Sequence, residues 1–214
     1  MLKFITNKNA IMGLTLSNIA LFIATGILLS AVFSFIYLSD FNRKAELDNI
    51  SNSFTTFVEA MDTKFFENCS KYYFPIKDYQ YKISISTEFI NVESDGFWNN
   101  KIYSRNKFLI KPLPIYNNID WNSSKTLHNF LKTKFGYSGN ESNPINNTKE
   151  SDVKNYFNDL KDKANLSFAL NPFIIDFSKD LFVEKIYIFY NVDSDNFWDK
   201  EVDYKKDIIV IYQK

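Results

Sequence analysis

Residues 10–38 read AIMGLTLSNIALFIATGILLSAVFSFIYL, and this stretch decides how the rest of the chain is arranged. It contains no charged residue, and its apolar side chains would lie on every face of a helix. A helix needs about 20 apolar residues to cross a bilayer core, whereas the apolar core of a secretory signal peptide has only about 7–15. The stretch therefore predicts a retained transmembrane helix over residues 14–38.

The flanks of this stretch predict its orientation. Residues 1–13 carry Lys3 and Lys8 and no acidic residue, whereas the other flank carries both signs of charge. A short cationic flank tends to stay in the cytoplasm. We therefore expect residues 1–13 to be a cytoplasmic flank or a leader, and residues 39–214 to lie outside the cytoplasm. Six Asn-x-Ser/Thr sequences after the apolar stretch are compatible with that location.

An apolar stripe continues the helix beyond the membrane. No Pro or Gly separates residues 39–68 from the apolar stretch, so we expect one helix of roughly 85 Å at 1.5 Å per residue. The stripe follows the 3-4-3-4 spacing of a coiled coil, and its members are Leu47, Ile50, Phe54, Phe57 and Met61. It has two interpretations, a seam between copies of the helix or packing on the chain's own domain. The second is the commoner role of such a stripe.

Residues 69–214, which we call the head, show the patterns of an α+β domain. Strands are predicted at residues 81–89, 102–110, 173–177, 183–190 and 207–212, and short helices at residues 127–135 and 153–160. The last two strands are apolar on both faces, which is typical of central strands in a sheet. The sequence thus predicts a long N-terminal helix packed on an antiparallel sheet with short helices.

Composition excludes several classes of function. The 25 basic and 25 acidic side chains balance, so the broad basic surface of a nucleic-acid-binding protein is not expected. Cys69 and His128 are the only residues of their types, which is too few for a zinc site or a Cys–His nucleophile. We interpret Cys69 as a small structural side chain and His128 as part of a helix surface. The sequence predicts no catalytic, cofactor-binding or metal-binding residue and no enzymatic activity.

An octapeptide occurs twice in the head. NVESDGFW at residues 91–98 returns as NVDSDNFW at residues 191–198, with six identical positions. This predicts a duplicated hairpin unit, at about residues 81–110 and 183–212. The alternating Asn and Asp or Glu oxygens resemble a calcium loop, but no carboxylate stands at the twelfth position. We prefer an acidic turn whose Phe and Trp fill the core.

The start of the apolar stretch resembles the processing region of type IV prepilins and pseudopilins. The sequence Gly13-Leu-Thr-Leu-Ser-Asn18 follows a short cationic leader, and the layout of a long apolar-then-amphipathic helix before a β-rich head is similar as well. The resemblance implies cleavage after Gly13, with Ala10 as a competing position. Asn18 stands where many pilins have glutamate, which is more similar to a minor pilin.

These observations lead to two hypotheses about function. The resemblance implies a membrane-anchored, pilin-like subunit or accessory protein of a cell-surface filament or secretion apparatus. Such a protein would contact membrane lipid and form homo- or hetero-oligomers with other pilin-like subunits through its helix stem and head. The alternative is a monomeric, membrane-anchored extracytoplasmic domain that binds or senses a ligand.

Overall fold

A computed structural model describes residues 8–97, 100–115, 120–170, 172–191 and 204–214, with the backbone alone at residues 8–14 and 167–170. The elements of this α+β fold follow the order α1 (Lys8–Asp62), β1 (Asn68–Tyr72), β2 (Tyr81–Ile85), β3 (Phe89–Asp95), β4 (Lys101–Lys107), β5 (Leu113–Pro114), α2 (Ser124–Phe135), β6 (Ile145–Asn146), α3 (Asn147–Leu170), β7 (Phe173–Ile174), β8 (Leu181–Asn191) and β9 (Tyr204–Gln213).

Helix α1 is continuous over 55 residues, or about 82 Å. The predicted single helix is confirmed, because no Pro or Gly interrupts residues 27–62. Residues 15–35 are exposed on all sides, and Thr25 donates its hydroxyl hydrogen to the carbonyl oxygen of Leu21 at 2.8 Å. Among the described residues, α1 is the one helix long and apolar enough to cross a membrane. A helix of this kind near the N-terminus serves as a membrane span or as a signal sequence.

Two sheets form the head. The first has the order β1-β8-β9-β5, with β6 paired to the far end of β8. The strands β8 and β9 are antiparallel over their whole length and both have neighbours on either side, so their predicted central position is confirmed. The two-residue strands β5 and β6 are parallel to their partners. The second sheet is antiparallel and has the order β4-β3-β2-β7.

The first sheet separates two hydrophobic cores. The second half of α1 and the second sheet cover one face of its β8–β9 pair, where Leu181, Val183, Ile209 and Ile211 are buried. Helices α2 and α3 cover the opposite face. Residues 47–61 of α1 therefore share a core with the head.

The structure corrects one strand boundary. Residues 81–89 were predicted as one strand followed by a loop, but they form a hairpin of β2 and β3. The hydroxyl oxygen of Ser86 accepts hydrogen bonds from the backbone N–H groups of Glu88 (3.1 Å) and Phe89 (2.9 Å) and closes the turn. The predicted loop at residues 91–95 is consequently part of β3.

The helices of the head agree better with the prediction. Helix α2 ends at Gly136, as its sequence predicts, because this glycine adopts the left-handed conformation with φ 85° and its N–H bonds the carbonyl oxygen of Lys132. Helix α3 is longer than predicted and extends over Asn147–Leu170.

Candidate functional site

The predicted stem-packing residues lie in the chain's own core. Leu47, Ile50, Phe54 and Met61 are buried, and Phe57 is half-buried against them. The ring of Phe54 lies 5.0 Å from that of Tyr72 and 6.2 Å from that of Phe108. These side chains are therefore occupied within one molecule, whereas residues 15–35 are exposed.

Gly13, the predicted processing position, lies within the helical range Lys8–Asp62. The side chains of its neighbours up to residue 14 are outside the described part of the structure. Cleavage after Gly13 stays a prediction.

The first copy of the repeated octapeptide is not arranged as a calcium loop. Asn91, Glu93 and Asp95 occupy alternate positions of β3, where residues two apart are separated by about 7 Å. They spread along one face of the strand instead of converging on one ion. Asp95 is also paired with Lys101, with the Oδ1 to Nζ distance 2.6 Å.

The aromatic end of that octapeptide does not fill the core. Phe97 is 46% exposed at the tip of the β3–β4 hairpin, so the prediction that it plugs the core is wrong for this residue. The hairpin continues past the sheet, and its tip lies beside α1. Trp98 and residues 192–198 of the second copy are outside the described residues.

The strongest candidate for a ligand site is an open groove at the C-terminal end of α1, which we call the terminal groove. Its volume is about 580 Å³. The connector after α1, helix α2, the loop that follows α2 and strands β8 and β9 all contribute to it. The lining residues are Phe65, Phe66, Glu67, His128, Asn140, Glu141, Tyr187, Phe189 and Lys205. Both Phe65 and Phe66 are exposed, so the groove combines an apolar rim with polar and charged walls.

His128 is a titratable group in the wall of the terminal groove. Its Nδ1 lies 2.7 Å from the carbonyl oxygen of Ser138, which accepts hydrogen bonds only, so Nδ1 carries a hydrogen. Its Nε2 lies 3.8 Å from Oε1 of Glu67. The Glu67 carboxylate raises the pKa of His128, burial opposes this effect, and the Ser138 carbonyl adds to it. Since both ring nitrogens face acceptors, His128 is poorly placed to act as a general base.

Glu67 completes this pair. Its Oε1 accepts the backbone N–H of Tyr187 at 3.0 Å, which fixes the carboxylate against β8. Proximity to His128 is the largest cause that lowers the pKa of Glu67. When His128 is protonated, it forms an ion pair with Glu67 that joins α2 to the connector after α1.

A buried lysine on β8, the strand that carries Tyr187 and Phe189 of the groove, joins this strand to the end of α1. Lys185 is 3% exposed, and its ammonium donates to the carbonyl oxygens of Asp62 and Lys64 and to the carboxylate of Asp207, the last at 3.0 Å. Burial lowers the pKa of Lys185, but its contacts with Asp207 and Tyr187 leave it raised overall. Its three ammonium hydrogens thus have partners, two of them carbonyls at the end of α1.

A buried glutamate positions α2 in the same way. Glu184 accepts the backbone N–H of Ser124 at 3.2 Å with Oε1 and the hydroxyl of Tyr212 at 2.9 Å with Oε2. A carboxylate at the N-terminus of a helix is favourable because the free N–H groups there carry partial positive charge. Glu184 and Lys185 interrupt the otherwise apolar run LFVEKIYIFY, and this charged pair was the signal in the sequence that could have identified the groove's supports.

Binding is the chemistry that this arrangement supports. In the described part of the chain, no group of three or more His, Cys, Asp or Glu side chains is placed to hold a metal ion. The groove instead offers exposed rings, an amide and charges of both signs, which suit a ligand with apolar and hydrogen-bonding parts.

No protein-family model, curated protein or solved structure matches the chain. The layout of a long apolar N-terminal helix packed against an antiparallel sheet is compatible with pilin-like folds.

Proposed function

We propose that the protein is a non-enzymatic, single-pass membrane protein of pilin-like type, a subunit or accessory component of a surface filament or secretion apparatus. In this proposal the N-terminus is cytoplasmic and the head lies outside the cytoplasm. The division of α1 supports it, because residues 15–35 expose apolar side chains on every face while residues 47–61 bury one apolar face in the head. The exposed half needs lipid or other helices as its cover.

One face of the exposed half favours helix–helix contact. Ala24 and Ala31 lie in a shallow apolar depression between the larger side chains Ile27, Leu28 and Phe35. Small residues let two helix backbones approach closely within a membrane, where packing replaces the hydrophobic effect as the driving force. Phe33 points about 180° away from this face, at 100° per residue.

Disulfide cross-linking in native membranes tests the proposal. Ala24→Cys and Phe33→Cys are each made in a Cys69→Ser background, so that the introduced thiol is the only one. We expect oxidation to link Ala24→Cys into dimers with another pilin-like subunit or a second copy, and Phe33→Cys to link far less. Equal, weak linking of both variants would contradict assembly through this face.

The mass of the extracted protein tests the processing that the pilin resemblance implies. We expect a mature chain that begins at Leu14. A mature chain that keeps Lys3 and Lys8 would instead support an anchored protein that is not processed as a pilin.

The second candidate function is a monomeric, membrane-anchored binding or sensing domain. The terminal groove favours it, because an open groove of this size with exposed Phe65 and Phe66 is a surface that a ligand could cover. Monomers that stay unlinked at Ala24→Cys and keep the leader would favour this candidate over the pilin-like one.

A further inference from the structure

The tip of the β3–β4 hairpin is attached to α1 where the apolar stretch ends. We call residues 95–97 and 100–103 the hairpin tip. The backbone N–H of Phe97 donates to Oδ1 of Asp40 at 3.1 Å, and Nζ of Lys44 donates to the carbonyl oxygen of Tyr103 at 2.8 Å. Arg43 donates to the carbonyl oxygen of Asp95 between these two contacts. Three successive contacts fix the tip to one turn of the helix.

These contacts fix the position of the hairpin tip along the axis of α1, close to the end of the apolar stretch. Asp40 is two residues beyond Leu38, the last residue of the uncharged apolar stretch, which is about 3 Å along the helix axis. The polar interfacial layer on each side of a bilayer core is roughly 5–8 Å thick. If residues 15–38 span the bilayer, Phe97, which bonds Asp40, lies at the depth of that layer. Tyr103 lies beyond it, because the neighbouring Ser104 bonds Ser51, about 20 Å from Leu38 along the helix axis.

The side chains around the hairpin tip suit this depth. Tyr37 and Phe41 on α1 are 75% and 60% exposed, and Phe97 and Tyr103 on the hairpin are 46% and 61% exposed. Aromatic rings are enriched at the boundary between lipid and water, because they combine an apolar body with tolerance of the polar layer. Tyr37, Phe41 and Phe97 come from two separate parts of the chain and lie near the end of the apolar stretch, whereas Tyr103 lies farther along α1.

We infer that the hairpin tip is a second membrane contact, which inserts Phe97 into the lipid interface beside the helix. This inference rests on the proposed function, in which residues 15–38 span the membrane. The partner is the headgroup and upper acyl layer of the lipid leaflet on the side of the head. With two contacts, the helix and the hairpin, the head is held in one orientation relative to the bilayer.

Quenching of a fluorescent label by lipid-borne nitroxide tests the inference. Asn100 is exposed at the hairpin tip, and Ser142 is exposed in the loop that borders the terminal groove. The groove lies at the end of α1, whose last residue, Asp62, is about 33 Å from Asp40 along the helix axis. Asn100→Cys, Ser142→Cys and Leu28→Cys are made separately in full-length protein with Cys69→Ser. Each is labelled with an environment-sensitive dye and reconstituted in phosphatidylcholine vesicles, which carry nitroxide on the upper acyl chain for positions 100 and 142 and near the end of the acyl chain for position 28.

We expect the label at position 100 to be quenched at least about twofold more strongly than the label at position 142. Adding Phe97→Ser to the Asn100→Cys variant should reduce that quenching while the label at position 28 remains quenched. If positions 100 and 142 behave alike while position 28 is quenched, the hairpin contact is wrong and the membrane span stands. If position 28 is not quenched either, both the span and the hairpin contact are wrong.

Discussion

Lys185 is the residue on which the junction between α1 and the first sheet depends. Replacing it with methionine keeps an apolar stem of similar length but removes the donor of the Asp62 carbonyl and of the Asp207 carboxylate, whereas the Lys64 carbonyl keeps the hydroxyl of Tyr187. Hydrogen bonds to a charged group contribute about 1.5–3 kcal/mol. We expect Lys185→Met to lower the free energy of unfolding by roughly 2–3 kcal/mol in urea denaturation. Lys163→Met, which replaces an exposed lysine on α3, is the control and should change it little. A similar loss in both variants would contradict this role.

The pair of His128 and Glu67 predicts a pH-dependent stability. The pKa of His128 is raised from 6.5, so its contribution is present below pH 6.5 and is lost as the pH rises through the folded-state pKa. The pKa of Glu67 is lowered from 4.5, so its contribution is present above pH 4.5 and is lost as the pH falls through its folded-state pKa. Glu184 also raises the pKa of His128 by its charge.

We therefore expect His128→Gln to lower the melting temperature most between about pH 4.5 and 6.5 and less at pH 8 and above. Melting curves of the two proteins across this range measure the difference. Glu67→Gln should show the same window, since it removes the other half of the pair. A deficit that stays constant with pH would mean that packing, and not charge, explains the effect.

At the scale of elements, the second half of α1 is held by aromatic packing. Phe54 is fully buried against the rings of Tyr72, Phe74 and Phe108. Cutting a buried Phe to Ala costs about 3–5 kcal/mol, out of about 5–15 kcal/mol for a whole domain. We expect Phe54→Ala to lower the melting temperature strongly by circular dichroism. Thr56→Ala, on the exposed side of the same helix, is the matched control; if it destabilises the protein as much, α1 is not anchored through this face.

The elements also show what the sequence could predict. Two-sided apolarity identified β8 and β9 as central, and the apolar spacing with Gly136 identified α2. The turn at Ser86 was missed because apolar alternation continues through it, and the turn depends on one hydroxyl. Strand β1 was missed because its sequence, NCSKY, carries no apolar pattern. This strand is held in the sheet by its antiparallel pairing with β8.

The candidate site was much less predictable than the fold. Residues from five separate parts of the chain line the terminal groove, so no local sequence pattern predicts it. His128 was interpreted as part of a helix surface, yet Ser138 and Glu67 enclose its ring. In the sequence, the charged Glu184–Lys185 pair within an apolar strand was the one signal that could have indicated the residues that support the groove.

At the scale of the whole molecule, the shared core predicts the behaviour of the fragment 40–214. It retains the buried part of α1 and both sheets but lacks the exposed apolar half of the helix. We expect it to be soluble and monomeric by light scattering, because the stripe from Leu47 to Met61 is already covered. A stable dimer of this fragment would contradict the assignment of assembly to residues 15–35.

The continuity of α1 makes the protein a lever. From Asp40 to the end of the helix is 22 residues, or about 33 Å, with no Pro or Gly to act as a hinge. Membrane helices tilt by about 20° on average, and the tilt follows the thickness of the bilayer. A tilt of that size displaces the C-terminal end of α1 sideways by about 11 Å, close to the diameter of a helix. In the proposed membrane-spanning arrangement, a change in the lipid that tilts the helix would move the groove across the membrane surface, and the hairpin contact would oppose that movement.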